Sequence, residues 1–209
     1  MRTLLLVILA PICLFLASCF ETTDEIYLNK DGSGMLTRKT DFSRMFENES
    51  KEDSNSMFGD FLKSIDSTQR AEFEKIKSVP GVSQASLLVS PDKKIYTVQF
   101  RFTGVAVLNA CFPVDDNQME FFTYEKKKLS FKGGIPGIVS STAEKTDEDE
   151  TTKAVLKEAR YNLIIHFPGK IKSCSNSSMR KTKKDLQYHV DVVNVIGNPG
   201  TTKFEVNHK

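Results

Sequence analysis

The first nineteen residues constrain this chain most. Arg2 precedes an apolar run from Leu4 to Leu16, and the run closes on Ala17, Ser18 and Cys19. A basic start, an apolar middle and small residues before a cut make a secretory signal. Such a segment is removed and contributes nothing to a core. Cleavage before Cys19 takes 18 of the 209 residues and leaves 191 to fold. That length suits one sizeable core or two small ones. One of the 29 Lys+Arg is Arg2, so the cleaved chain stands near balance against 27 Asp+Glu. A balanced chain is not an obvious nucleic-acid binder, and none is expected as partner. Fifteen Phe and no Trp in a chain that is 39% hydrophobic argue against disorder. They point to an apolar interior or an apolar pocket.

Cys19 sits at the position that turns an export signal into a lipoprotein signal. Leu16-Ala17-Ser18-Cys19 resembles the lipobox, in which the cysteine thiol receives diacylglycerol and the new amino group is acylated after cleavage. Two other readings exist: an uncleaved membrane helix, and an ordinary signal with an incidental cysteine. The run from Leu4 to Phe20 is 17 residues and contains Pro11, at the short limit for a spanning helix. Two or more acyl chains anchor stably where one is marginal. The expectation is therefore a protein of the cell envelope held by lipid at Cys19. The outer membrane is the default over the inner, because Phe20 rather than Asp follows Cys19.

Cys13 leaves with the signal, so Cys111 and Cys174 are the remaining thiols. Exported proteins meet oxidising conditions, which makes the two a candidate disulfide. The alternative is two reduced cysteines acting as small hydrophobes.

Phe20 to Asp24 reads as a short tether. Glu25 to Asn29 and Met35 to Thr40 read as strands joined by Lys30-Asp31-Gly32-Ser33-Gly34, a turn rather than a cation or phosphate loop. Residues 47–56 read as a polar loop. Phe58, Phe61, Leu62 and Ile65 follow at helical spacing, a restart is expected at Asp66-Ser67-Thr68-Gln69, and Phe73 and Ile76 continue the face until Pro80-Gly81. Such a stripe packs a core or walls an apolar cavity. Val82–Val89 and Ile95–Phe102 are strands about a turn at 90–94. Residues 104–112 read as one helical turn. Met119–Tyr124 and Leu129–Phe131 form a hairpin, and residues 133–146 a loop. The acidic run 147–150 opens a helix. Residues 161–167, 171–174, 186–195 and 203–206 are further strands. Strands, then helices, then strands again give an α+β class: a largely antiparallel sheet with a few helices packed against it.

The order of elements resembles the LppM-like lipoprotein domain. The residues that carry the likeness are Glu25-Ile26-Tyr27-Leu28-Asn29-Lys30-Asp31-Gly32-Ser33-Gly34, the Val79-Pro80-Gly81-Val82 turn, and Tyr161 to Ile171, followed by a strand with Tyr188 where relatives often have Trp. The likeness covers most of residues 24–207. It implies a cell-envelope protein with a fold similar to lipid-binding proteins, and the short tether and hairpin suit a Bacteroidetes-type lipoprotein. Relatives often carry a carboxyl-terminal membrane helix; the reading here is a single anchor at Cys19.

Nothing in the chain spells out a reaction. There is no His-Glu-x-x-His and no Gly-x-Ser-x-Gly, and no Cys/His spacing for zinc. His166 and His189 are candidates to meet across a sheet. No catalytic residue, metal or cofactor is expected. Lys170, Lys172, Arg180, Lys181, Lys183 and Lys184 crowd one region, with Lys126, Lys127 and Lys128 earlier. On one side they would attract an anionic surface; otherwise they are solubilising charge. The leading expectation is a non-catalytic, membrane-anchored binder of lipid or another amphiphile, with a cavity lined by Phe58, Phe61, Phe73, Phe100 or Phe102. The alternative is an assembly module that binds another envelope protein through a sheet edge.

Overall fold

A computed structural model describes residues 20–46, 57–112, 120–136 and 158–209. Among these residues the architecture is α+β, with two sheets and three helices. Cys19, the loop expected at 47–56 and the helix expected after residue 146 lie outside them.

The larger sheet begins with β1 (Glu21–Leu28) and β2 (Gly34–Asp41), a hairpin paired from Glu21↔Asp41 to Leu28↔Gly34. Its turn follows from Asp31 and Gly32. Asp31 Oδ1 accepts from the Ser33 amide at 3.0 Å and Oγ at 2.7 Å, and Gly32 takes φ +85°, which a side chain resists. β3 (Val82–Val89) and β4 (Ile95–Phe102) form the next hairpin, and β4 pairs with β2. β7 (Arg160–His166) pairs with β10 (Asp185–Asp191), and β9 (Arg180–Lys181) covers only Leu186 and Gln187. The strand order is β3-β4-β2-β1-β7-β10-β9. Every pair is antiparallel except β1 with β7, a parallel seam at the centre. Such a seam demands a long crossover, so it joins the start of the domain to its last third.

Phe20 to Asp24 is not a tether. The Arg160 amide donates to Phe20 O at 3.0 Å, the Phe20 ring lies 5.9 Å from Phe42, and Thr22 and Asp24 are buried in β1. The alternation that defines a half-buried strand therefore starts at Thr22 and continues through Asp24, Ile26 and Leu28.

The second sheet holds β5 (Phe122–Glu125), β6 (Lys128–Phe131), β11 (Phe204–His208) and β8 (Ile171–Cys174), in that order. Its Phe122, Phe131, Phe204 and Val206 join Phe100, Leu36, Leu163 and Ile165 of the larger sheet in one continuous apolar core. β11 begins at Phe204 and runs to His208, whose ring is buried beside Tyr124 and Phe167.

α1 (Met57–Ser78) runs unbroken through the expected restart. Asp66 does not cap it. Its Oδ1 accepts from Arg70 Nε at 3.0 Å and, at 3.4 Å, from the hydroxyl of the buried Tyr96. Ile65 closes a small second cluster with Phe46 and Tyr96, and Ile76 enters the main core. α2 (Val105–Cys111) buries Val105, Leu108 and Cys111 on one side. α3 (Val192–Gly197) replaces the second half of the strand expected over 186–195. Val192 and Val195, three apart and both buried, pull that segment into a helical turn despite its β-branched composition.

β5 and β6 meet at Glu125↔Lys128, leaving a two-residue turn at Lys126 (φ 48°) and Lys127 (φ 66°). Both are left-handed, where Asn-Gly is favoured and Lys is not. Lys126→Asn with Lys127→Gly is expected to raise stability by about 1 kcal/mol. Urea denaturation measures it; an unchanged or lowered midpoint contradicts the turn assignment.

Candidate functional site

An ion pair sits inside the core at the parallel seam. Arg38 of β2 and Asp24 of β1 are register partners. Arg38 Nε donates to Asp24 Oδ1 and Nη2 to Oδ2, both at 2.6 Å. Tyr161 of β7 donates its hydroxyl to Oδ2 at 2.9 Å. Nη2 also donates to Pro136 O at 2.9 Å, and the guanidinium lies 3.8 Å from the Phe112 ring centroid. The Asp24 side chain is 2% exposed and that of Arg38 15%. Burial alone weakens the guanidinium charge, but the Asp24 carboxylate outweighs burial and holds the Arg38 pKa above its ordinary value. Burial, then the Asp24 charge, pushes the Tyr161 hydroxyl far above the usual phenol range. Among the described residues, Arg38 Nη1 has no hydrogen-bond acceptor.

Arg38 also lines a cleft of about 300 Å³ between α1, α2 and the inner face of the sheet. Ile76, Val79, Val98, Ala110 and Phe112 supply an apolar lining, and Gln69, Glu72 and Lys75 the polar rim on α1. The volume is at the small end for ligand sites, and an apolar wall with a few fixed polar groups is the usual composition. The cleft is thus a small, mainly apolar hollow with a single guanidinium at its wall. Of the phenylalanines expected around a cavity, Phe61, Phe73, Phe100 and Phe102 do not line it, and the Phe58 side chain lies outside the described part of the structure. Phe100 and Phe102 are fully packed in the core, Phe73 is half-buried, and Phe61 is exposed. The phenylalanine that matters is Phe112.

The outer face of the larger sheet is polar. His166 bridges three strands there: Nε2 lies 2.8 Å from Glu25 Oε1 and Nδ1 2.9 Å from Asp185 Oδ1. Tyr27 stacks on its ring at 4.2 Å and donates to Glu25 at 2.7 Å. Hydrogen bonds from Thr182 and His166 hold the Asp185 carboxyl below the ordinary range. His166 does not meet His189. His166 is the register partner of Asp185, and His189 that of Asn162, four residues along β10. The cluster clips β1, β7 and β10 together. Among the described residues, no group of three or more His, Cys, Asp or Glu is placed to hold a metal ion.

No family model and no curated protein matches the chain. Among solved structures, the folded domain of LppM from Mycobacterium tuberculosis, determined by NMR, is a neighbour. The alignment covers 91% of this chain and 91% of that one, at 12% identity and a TM-score of 0.40. A likeness that loose carries no argument about function, so the geometry above has to.

All six clustered cations are exposed. The backbone gathers three of them at one corner: the Phe167 amide donates to Lys184 O, the Ile171 amide to Lys183 O, and the Lys209 amide to Lys170 O. Arg180 and Lys181 form β9, and Lys172 lies on β8 of the other sheet. None of the six has an ion-pair partner among the described residues. By contrast Lys128 pairs with Glu205 at 2.9 Å. Among the described residues, no helix is long and apolar enough to cross a membrane.

The candidate disulfide is not formed: Cys111 and Cys174 are both free. Cys111 faces the cleft from α2, and burial pushes its thiol up to about 12. Cys174 ends β8, where its Sγ reaches Asn176 O at 3.5 Å. Two expectations follow from these environments. Unreduced, denatured protein takes up alkylating reagent at both thiols, and native protein at pH 8 leaves Cys111 the slower, since thiolate is the reactive form; protection of both after denaturation without reductant restores the bridge. Second, Asp24→Ala leaves the Arg38 charge buried and unpaired and costs about 3–5 kcal/mol. Asp24→Leu with Arg38→Leu removes both charges and is expected to cost less than that single change. Denaturant titration of both variants decides it; a double variant as unstable as the single would mean that packing, not charge, dominates.

Proposed function

We propose that the protein is a lipoprotein of the cell envelope, anchored through acylated Cys19, whose folded domain binds an amphiphile without catalysis. The observation that carries the binding reading is the cleft under α1. It has an apolar lining of Ile76, Val79, Val98 and Phe112, and the buried Arg38 at its wall. An amphiphile fits this division: the chain against the aliphatic wall, an acceptor on its head toward Arg38 Nη1. The finer parts of the reading have separate supports: attachment to the outer membrane rests on Phe20 after Cys19, and a Bacteroidetes-type source on the Asp31-Gly32-Ser33-Gly34 hairpin.

A second reading has its own observation. β3 is an eight-residue strand at the sheet edge, and its Leu88 is 68% exposed. An edge of that length accepts a partner strand. Its register breaks between Ser83 and Ser86, with Gln84 at φ 51°, and a bulge of this kind discourages pairing. The cleft therefore ranks first.

Native mass spectrometry of the protein purified from its own cells tests both readings. An amphiphile released on activation is expected, and Ala110→Trp, which fills the cleft from α2, is expected to remove it while keeping the parent unfolding midpoint. A protein partner in place of the amphiphile, lost on Leu88→Lys, favours the edge. For the anchor, Cys19→Ala is expected to leave an uncleaved, unacylated precursor. Normal acylation of that variant would refute the lipobox.

A further inference from the structure

A second cleft, of about 490 Å³, lies on the opposite, outer face of the larger sheet. The register explains its lining. Thr23, Asn162 and His189 stand in one row across β1, β7 and β10, and Ile164, Gln187 and Arg180 in the next. β9 covers β10 only at Leu186 and Gln187, so from Tyr188 onward β10 is the outermost strand and the cleft is open at that side.

The side chains there have unused hydrogen-bonding capacity. Asn162 Nδ2 is fixed by Glu21 Oε1 at 2.6 Å and Thr23 Oγ1 at 3.1 Å. Its Oδ1 is buried and has no hydrogen-bond partner among the described residues. A buried acceptor left unmet costs about 1–3 kcal/mol. The Gln187 amide, the Arg180 guanidinium and the His189 ring make no side-chain hydrogen bond or ion pair among the described residues. Two amides (Asn162, Gln187), three hydroxyls (Thr23, Ser178, Tyr188) and an imidazole, with Ile164 as the only aliphatic side chain of the lining, suit a ligand dense in hydroxyl groups. They do not suit an acyl chain. Arg180 adds a planar cation with no carboxylate of its own, and Lys181 follows it on the same strand. Arg is the side chain that recognises carboxylates in a two-pronged fork.

We infer that this cleft is a second binding site, for a saccharide bearing an acidic group. The sugar hydroxyls meet the Asn162, Gln187 and His189 row ends, and the acidic group meets Arg180. The site lies on the other face of the sheet from the amphiphile cleft and does not depend on it.

The test uses the full-length protein in detergent and isothermal titration with tetragalacturonate, with cellotetraose as the uncharged comparison. Saturable binding of tetragalacturonate is expected, with cellotetraose weaker. Arg180→Ala and Gln187→Ala are each expected to weaken it about tenfold. Lys172→Ala, an exposed cation on the other sheet, is expected to bind like the parent. Thermal unfolding confirms that each variant folds. The absence of saturable binding overturns the proposal. So does an equal loss in Lys172→Ala, which would mean unspecific attraction of a polyanion. Displacement of the saccharide by phosphatidylglycerol vesicles, with the same dependence on Arg180, would also overturn it and assign the cleft to a lipid headgroup.

Discussion

The Asp24–Arg38–Tyr161 contact is the interaction on which the rest depends. It joins three adjacent strands at the one parallel pair among the described residues, where Asp24 and Tyr161 are more than a hundred positions apart in sequence. Removing two charges from water costs several kcal/mol per ion, and only good geometry with extra hydrogen bonds recovers it. Here both carboxylate oxygens are met by the guanidinium, one of them also by the Tyr161 hydroxyl, and Nη2 also reaches a backbone carbonyl. An apolar trio would pack the same space at no such cost. What the charges add is register: shifting β1 by two residues against β2 would keep Asp24 on the inner face but set it opposite Leu36 or Thr40 in place of Arg38. In a seam closed by distant segments, that penalty discriminates against slipped pairings more sharply than one more aliphatic contact.

The same contact sets the cleft. Arg38 is held from one side by Asp24 and lies over the Phe112 ring on the other, so its remaining nitrogen is fixed rather than free to swing. α1 and α2 then roof that point, with Ile76 and Ala110 on opposite sides. The position is prepaid by folding, and a ligand acceptor meets a donor that loses little entropy on binding. The two faces of the sheet thus differ in kind. Among the described residues, the inner face carries the largely covered Arg38 in apolar surroundings, and the outer face carries amides, an imidazole and Arg180 without an ion-pair partner.

Alternation made most strands legible in the sequence: β2, β3, β4 and β7 show period two, and their turns carry Gly, Pro or Asp. The start of β1 was misread because its inward positions, Thr22 and Asp24, are polar. A strict period through Thr22, Asp24, Ile26 and Leu28 was the available signal. α3 misled in the other direction: Val192, Val193 and Val195 favour strand, and tertiary packing overrode the preference. The core ion pair was not legible, since nothing local to Asp24 announces Arg38 or Tyr161. The cation cluster was visible as composition. Its division into a corner, an edge strand and an isolated Lys172 depends on pairings that only the fold supplies. Phenylalanine content indicated an apolar interior correctly, while the choice of cavity wall turned on which residues α2 leaves beside α1.

On the proposed anchoring at Cys19, distance along β1 sets how far each feature can lie from the anchor. Phe20 is already packed and β1 starts at Glu21, so one residue, Phe20, stands between Cys19 and the sheet. The inner cleft is met at the row of Asp24 and Arg38, about 10 Å along β1 at roughly 3.3 Å per residue. The outer cleft spans the rows of Thr23 and Glu25. The corner of Lys170, Lys183 and Lys184 lies past the row of Tyr27, His166 and Asp185, about 20 Å or more along. The Debye length at physiological salt is about 8 Å. On that reading those cations lie more than a Debye length from the anchor, and the inner cleft about half as far along the strand.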